Sequence, residues 1–170
     1  MIIVFRGLPG VGKTYLARRL LQRRPDFLIL SRDSLRTSII TRPTFSEEEK
    51  SFIDDLIVTM ARWLLEQGRS VVIDGMALSS ARRLEDFAAA ATSQRKGIRI
   101  IECVCSESTA LARLRADAGA HPAGDRSEGL YRRVKERFEE TELPYLRVDT
   151  DGDAEENMQA ILGYIENPPA

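Results

Sequence analysis

Hydrophobic positions along the chain follow two alternating rhythms. Short, nearly continuous apolar runs occur at 1–6, 27–31, 70–74, 98–105 and 145–149. Unbroken hydrophobicity of this kind belongs to strands covered on both faces of a parallel sheet. Between the runs, apolar residues recur at three- and four-residue spacings, which places them on one face of a helix. Leu16, Leu20 and Leu21 form such a face over 13–24. A longer stripe of Phe52, Ile53, Leu56, Ile57, Met60, Trp63 and Leu64 begins after Ser46, where Glu49 completes a capping-box signal, and stops near Gly68. That stripe is expected to pack into the core. Further helices are predicted over 79–95, 106–116, 127–140 and 153–167. The alternation argues for an α/β layered fold with 1–170 as one domain.

One segment breaks the rhythm. Residues 117–126, from Asp117 through His121-Pro122 to Arg126, are small, polar and rich in Gly and Pro. Placed between two helices, they read as a mobile loop of the kind that closes over phosphates. His121 reads as exposed loop chemistry, not as a ligand or base, and the tail Asn167-Pro168-Pro169-Ala170 as a frayed end.

Composition narrows the class only modestly. The chain has 170 residues, 43% hydrophobic and 30% charged, with a net charge of −1. No apolar stretch approaches the ~20 residues needed to span a bilayer. The N-terminal run is already a strand, so no signal peptide is expected and a cytoplasmic setting follows. Cys103 and Cys105 sit at i and i+2 in a β-like run, too few ligands for a metal site, and read as reduced thiols. The near-neutral balance gives no bulk footprint for nucleic acid. The doublets Arg18-Arg19, Arg23-Arg24, Arg82-Arg83 and Arg132-Arg133 read mainly as solvated helix faces.

The strongest chemical signal is Gly7-Leu8-Pro9-Gly10-Val11-Gly12-Lys13-Thr14, with the spacing G-x-x-x-x-G-K-[ST]. It lies between an apolar strand and a helical pattern. Backbone N–H groups of such a loop and of the following helix N-terminus surround a phosphate. Lys13 can reach the β- and γ-phosphates, and the Thr14 hydroxyl is placed to ligate Mg²⁺. A nucleoside triphosphate is the expected ligand.

Functional groups of an α/β fold gather at the carboxyl ends of its strands. Val71-Val72-Ile73-Asp74 has the form of an apolar strand closed by an acid, the Walker B pattern. Leu28-Ile29-Leu30-Ser31-Arg32-Asp33 delivers a second acid, with Arg36 three residues on. If Asp33 opens a helix, it could be the N-cap. Alternatively, its carboxylate takes the proton of an acceptor hydroxyl while Arg36 holds an anionic acceptor.

The phosphate loop, the block from Pro25 through Ser31-Arg32-Asp33-Ser34-Leu35-Arg36 to Ile40, Val71–Asp74, Arg82-Arg83-Leu84 and the arginine-bearing helix 107–115 together resemble the polynucleotide 5′-kinases. The phage T4 type and the bacterial RNA-repair kinases are the nearest, within a wider group of zeta-toxin-like and antibiotic-modifying kinases. The resemblance implies a P-loop kinase three-layer sandwich: a five-stranded parallel sheet in the order 2-3-1-4-5, flanked by helices, with a helical lid about 113–128. It implies that Lys13 contacts the β/γ-phosphates, Thr14 binds Mg²⁺, Asp33 is the general base and Arg36 contacts the acceptor's phosphate. It places Asp74 beside the acceptor and a metal-bound water, Arg113 on the transferring phosphoryl group, and adenine near Thr150-Asp151-Gly152. Two positions depart from the pattern. Relatives carry a second lid arginine four residues after the first, where this chain has Asp117, leaving Arg115 or Arg126 as substitutes. The strand-ending acid is followed here by Gly75-Met76, which makes the acceptor pocket more apolar.

The expected reaction is Mg²⁺-dependent transfer of the γ-phosphate of ATP to a hydroxyl, foremost the 5′-OH end of DNA or RNA. The alternative acceptors are a small antibiotic-, sugar- or nucleotide-like molecule and another hydroxyl on a nucleic acid. A GTPase switch would carry an Asn-Lys-x-Asp string, which the chain lacks. A binding module without catalysis would have lost Lys13, Thr14 or the acids.

Overall fold

A computed structural model describes residues 1–117 and 127–167. In chain order the elements are β1 (Ile2–Arg6), α1 (Lys13–Arg23), β2 (Phe27–Ser31), α2 (Arg32–Ile39), α3 (Glu47–Glu66), β3 (Ser70–Asp74), α4 (Ala81–Ser93), β4 (Ile98–Val104), α5 (Glu107–Ala116), α6 (Glu128–Glu136), β5 (Tyr145–Asp149) and α7 (Ala154–Glu166). The five strands are all parallel in the order β2-β3-β1-β4-β5. This is the P-loop kinase sheet. The predicted lid of about 113–128 falls mostly, and His121 and Arg126 wholly, outside the described residues.

Alternation along the central strands explains their unbroken hydrophobicity. Ile2, Val4, Val71, Ile73 and Ile100 face one way, onto Ile53, Ile57, Leu84 and Phe87 of α3 and α4. Ile3, Phe5, Val72 and Ile101 face the other way, onto Leu16 and Leu20 of α1 and Met158 and Ile161 of α7. Two layers of helices therefore bury both faces of β1, β3 and β4, while β2 and β5 form the half-exposed edges.

α3 corrects the sequence reading. Its buried face is Ile53, Ile57, Val58, Ala61 and Leu65, whereas Phe52 and Trp63 are more than half exposed. Spacings of four residues from Ile53 define the core line. Phe52 and Trp63 turn away from it, so the aromatic members of the stripe are not core. The Ser46 cap forms, accepting a bond from Glu49 N, but the Glu49 carboxylate turns to Thr44 and Phe45 instead of closing the box on Ser46.

At the carboxyl ends of the strands a charged row crosses the sheet. Arg6 pairs in register with Glu102, and Glu102 with Arg147. Arg6 is fully buried, donates to the Glu139 carbonyl at 2.6 Å and stacks on the Phe138 ring. It thereby ties the chain leaving α6 to the central strand. Among the described residues, no helix is long and apolar enough to cross a membrane.

Candidate active site

A cleft of about 1610 Å³ runs over the carboxyl ends of the strands, bounded by the phosphate loop on one side and by α2, α3 and the start of α4 on the other. Its donor half begins at β1. The loop needs backbone conformations that side chains avoid: Gly10 has φ +82°, and a Cβ there would sit 2.5 Å from the Ala110 carbonyl oxygen of α5. Gly7 N donates to Ala77 O, fastening the loop to the segment after β3. Lys13, nearly buried, donates from Nζ to the carbonyls of Gly7 and Leu8 at 2.8 Å each, tying the entry of the loop to the first residue of α1.

The acid of β3 meets the end of that loop. Thr14 Oγ1 donates to Asp74 Oδ1 at 2.9 Å, and Asp74 is buried. A hydroxyl and a carboxylate held together beside a phosphate cradle are the hard oxygen donors that Mg²⁺ takes along with phosphate oxygens and water. The resemblance placed Asp74 on the acceptor side. Here its closest polar partner is Thr14, which adds it to the residues that could hold the metal. Among the described residues there is no cluster of three or more His, Cys, Asp or Glu that could hold a metal ion.

Arg113, in the last turn of α5, reaches across the loop to Thr150 after β5. Its two terminal nitrogens donate to Thr150 Oγ1 at 2.9 Å and Thr150 O at 3.0 Å, and Thr150 Oγ1 donates to Val11 O at 3.0 Å. Two predicted nucleotide contacts thus form one clasp over the phosphate loop. These hydrogen-bond partners are uncharged, and among the described residues Arg113 makes no ion pair, although, behind hydrogen bonds from Ser106, its charge helps hold the nearby Asp151 carboxyl below the usual range. Arg115, one of the two candidates for a second lid arginine, is largely exposed and pairs with Glu128 at 3.4 Å. The cleft is also lined by Arg133 and Arg137 of α6, with Leu130 and Val134. Sequence reading assigned Arg133 to a solvated face and passed over Arg137. Their i, i+4 spacing beside Leu130 and Val134 was the available signal.

The acceptor half is built at β2 and β3, whose register sets Ser31 against Asp74. Ser31, not Asp33, caps α2, accepting from Ser34 N, so Asp33 stands free of capping in the first turn. Gly75 makes this possible. It has φ +78°, and a Cβ would lie 3.2 Å from the backbone nitrogens of Arg32 and Asp33, so α2 packs directly on the strand end. Met76 and Leu78 behind it are buried, giving the apolar backing expected from Gly75-Met76.

Arg36, expected to contact the acceptor's phosphate, lies between two acids. Its side chain is 2% exposed, 3.4 Å from Asp33 Oδ1 and 3.0 Å from Glu49 Oε1, and it stacks on the Phe45 ring at 5.1 Å. Desolvation opposes ionisation of Glu49, yet bonds from Thr44 and Phe45 and the charge of Arg36 hold its carboxyl below the usual range. Two carboxylates therefore already occupy the arginine that was expected to grip an acceptor phosphate. The same pairing repeats along the wall: Arg83 with Asp55 at 2.7 Å and Asp86 at 3.2 Å, and Arg32 with Asp54 at 3.6 Å. Burial pushes the Asp54 carboxyl above its usual range against the pull of Arg32, Arg83 and Arg36. Cys103 lies under the loop with its thiol pushed up by burial to about 12, which makes it unreactive packing.

Residues 2–141 match the model of a protein family described as an AAA domain. Among solved structures, the chain is similar to a protein described as a kinase from Chloroflexus aurantiacus J-10-fl, with 21% identity, TM-score 0.75 and coverage of 95% of this chain and 96% of that one. It is also similar to the Mycobacterium tuberculosis APS kinase CysC in complex with AMPPNP and APS, with 19% identity, TM-score 0.71 and coverage of 98% and 97%. A sugar kinase from Janibacter sp. HTCC2649 matches with 12% identity, TM-score 0.74 and coverage of 99% and 95%. At these identities the likeness is one of fold. No curated protein sequence matches the chain.

Proposed function

This chain belongs to the AAA domain family, and we propose that it is an ATP-dependent phosphotransferase that moves the γ-phosphate of ATP to a hydroxyl of a small acceptor. The phosphate loop with Lys13, and the Arg113–Thr150 clasp, would hold the triphosphate. Thr14 and Asp74 would hold Mg²⁺, which when bound neutralises charge on the phosphate oxygens. Asp33 faces the same cleft from the start of α2 and would accept the acceptor's proton as its oxygen attacks.

One observation carries the choice of acceptor. Arg36 is buried between Asp33 and Glu49, so the charge that a 5′-polynucleotide reading needs for the terminal phosphate is already matched by two carboxylates, while Arg36 Nε and Nη2 keep hydrogen-bonding capacity. A small, hydroxyl-rich molecule places no such demand, and the APS kinase and sugar kinase of the same fold agree with it. The 5′-OH end of DNA or RNA is the second reading. It draws on the Asp33-x-x-Arg36 spacing and on Arg82, which lines the cleft without an ion pair among the described residues.

The test is direct. With γ-labelled ATP and Mg²⁺, the protein is offered small polyols and sugars, 5′-OH DNA and 5′-OH RNA. Label in a small-molecule product is the expected result. Label confined to oligonucleotide ends would establish the second reading, and label found only in inorganic phosphate would refute transfer to a hydroxyl.

A further inference from the structure

The acceptor wall carries a polar pair that phosphoryl transfer itself does not use. Arg32, the first residue of α2, and Asp54, on α3, both line the cleft. Arg32 NH1 lies 3.6 Å from Asp54 Oδ1, within ion-pair range but too far for a hydrogen bond. Asp54 Oδ1 and Arg32 Nε are shut away from solvent and make no hydrogen bond, and Arg36 Nε and Nη2 beside them are in the same condition. Buried polar atoms are seldom left so, because each forfeits its bonds to water without replacement. Four on one wall of one cleft describe a site with bonding capacity in hand.

We propose that Asp54 and Arg32 form a hydroxyl-binding subsite of the acceptor pocket, which takes adjacent hydroxyl groups of an uncharged polyhydroxylated acceptor. The proposal rests on the phosphotransferase reading and names its substrate class. A hydroxyl both donates and accepts: it can donate to the Asp54 carboxylate while accepting from the Arg32 guanidinium. Two adjacent hydroxyls satisfy a carboxylate and a guanidinium at once. Charged groups fit less well. An ammonium would meet Arg32, Arg36 and Arg83, whose charges all act on Asp54, and an anion would meet Asp54 itself. The raised carboxyl of Asp54 agrees, since donors from a ligand would supply what burial removes. Arg32 directly precedes Asp33, so a hydroxyl-rich molecule seated here lies beside the proposed base.

The experiment separates binding from transfer. With a non-hydrolysable ATP analogue bound, D-ribose and D-glucose are titrated by ligand-observed NMR beside D-glucosamine and D-gluconate, for wild type and Asp54→Asn. Transfer from γ-labelled ATP to the same four compounds is measured in parallel. The uncharged sugars should bind more tightly than the charged pair, and Asp54→Asn should weaken them by ~10- to 100-fold, the range for losing a hydrogen bond to a charged group, with the affinity for the ATP analogue unchanged. A melting temperature no lower than wild type would show the variant folded. The inference is overturned if Asp54→Asn binds uncharged sugars as well as wild type, if the charged compounds are preferred, or if none binds. Asp54-dependent binding without transfer would uphold the subsite and count against the phosphotransferase reading alone.

Discussion

Arg113, Arg133 and Arg137 on one side and Arg32, Arg36 and Arg83 on the other line a single cleft, yet among the described residues it is the second group that forms ion pairs with carboxylates. Among the described residues Arg133 and Arg137 make no ion pair, and Arg113 leans on the hydroxyl and carbonyl of Thr150. On the acceptor wall Arg32, Arg36 and Arg83 each have an acid within 3.6 Å, and Arg36 and Arg83 have two. An uncompensated guanidinium is suited to a polyanion. A guanidinium already paired offers its remaining N–H groups as directional donors with little net charge. The halves thus recognise by different physics, charge for the triphosphate and hydrogen bonding for the acceptor.

The comparison can be broken from either side. Asp33→Asn should lower turnover by ~10²–10⁴-fold, the range for removing a general base, with ATP affinity kept. Equilibrium binding of a non-hydrolysable analogue beside single-turnover kinetics reads both quantities, and a parallel loss of nucleotide binding would place Asp33 in the wrong half. Lys13→Ala should cost ~10²–10³-fold in turnover, the scale of one preorganised electrostatic contact, and should weaken nucleotide binding while sparing the acceptor.

Glu49→Gln sharpens the contrast by leaving Arg36 with a single carboxylate. Discrimination between uncharged and anionic acceptors should then shift towards the anion by ~10-fold, as expected for one charge-pair partner. Unchanged selectivity would mean that Glu49 serves only the Thr44–Phe45 turn. Gly75→Ala should lower stability by ~1–3 kcal/mol, because the left-handed backbone and the contact with Arg32 and Asp33 both resist a Cβ. Denaturant unfolding measures the loss, and acceptor KM should rise more than ATP KM.

The smallest effect concerns Asp54. Burial raises its folded carboxyl above the ordinary value of an aspartate, so the folded state holds that proton more tightly than the unfolded one. Its contribution to stability is full below that value and is lost as pH rises through the folded value. Asp54→Asn should flatten this part of the stability–pH curve, as followed by thermal melts across the acid range.

The donor half was legible in the sequence because backbone geometry dictates it: the glycines, Lys13 and Thr14 are fixed by spacing, and a strand and a helix flank them where required. Asp74 was legible as a strand-ending acid, but its bond to Thr14 joins residues 60 positions apart and appears only when β1 and β3 are paired. The acceptor half resisted reading for the same reason. Glu49 looked like a capping-box member, and nothing local revealed that its carboxylate also reaches Arg36 across the turn between α2 and α3. Asp54 and Asp55 are adjacent acids on α3 with no local motif to single them out. Only the seating of α3 against α2 and α4 turns one towards Arg32 and the other towards Arg83. Phe52 and Trp63 show the opposite failure, hydrophobic residues at helical spacing that lie off the buried face.

Ionic strength tests the contrast most directly. KM values for ATP and for the preferred acceptor are measured from low to high salt, across the range where the Debye length shrinks from about 30 Å to about 3 Å. KM for ATP should climb with salt while KM for the acceptor stays flat, as expected for a charged donor half and a charge-matched acceptor wall. An acceptor KM that climbs as steeply as that of ATP would contradict the account, because the second substrate would then be held by charge as well.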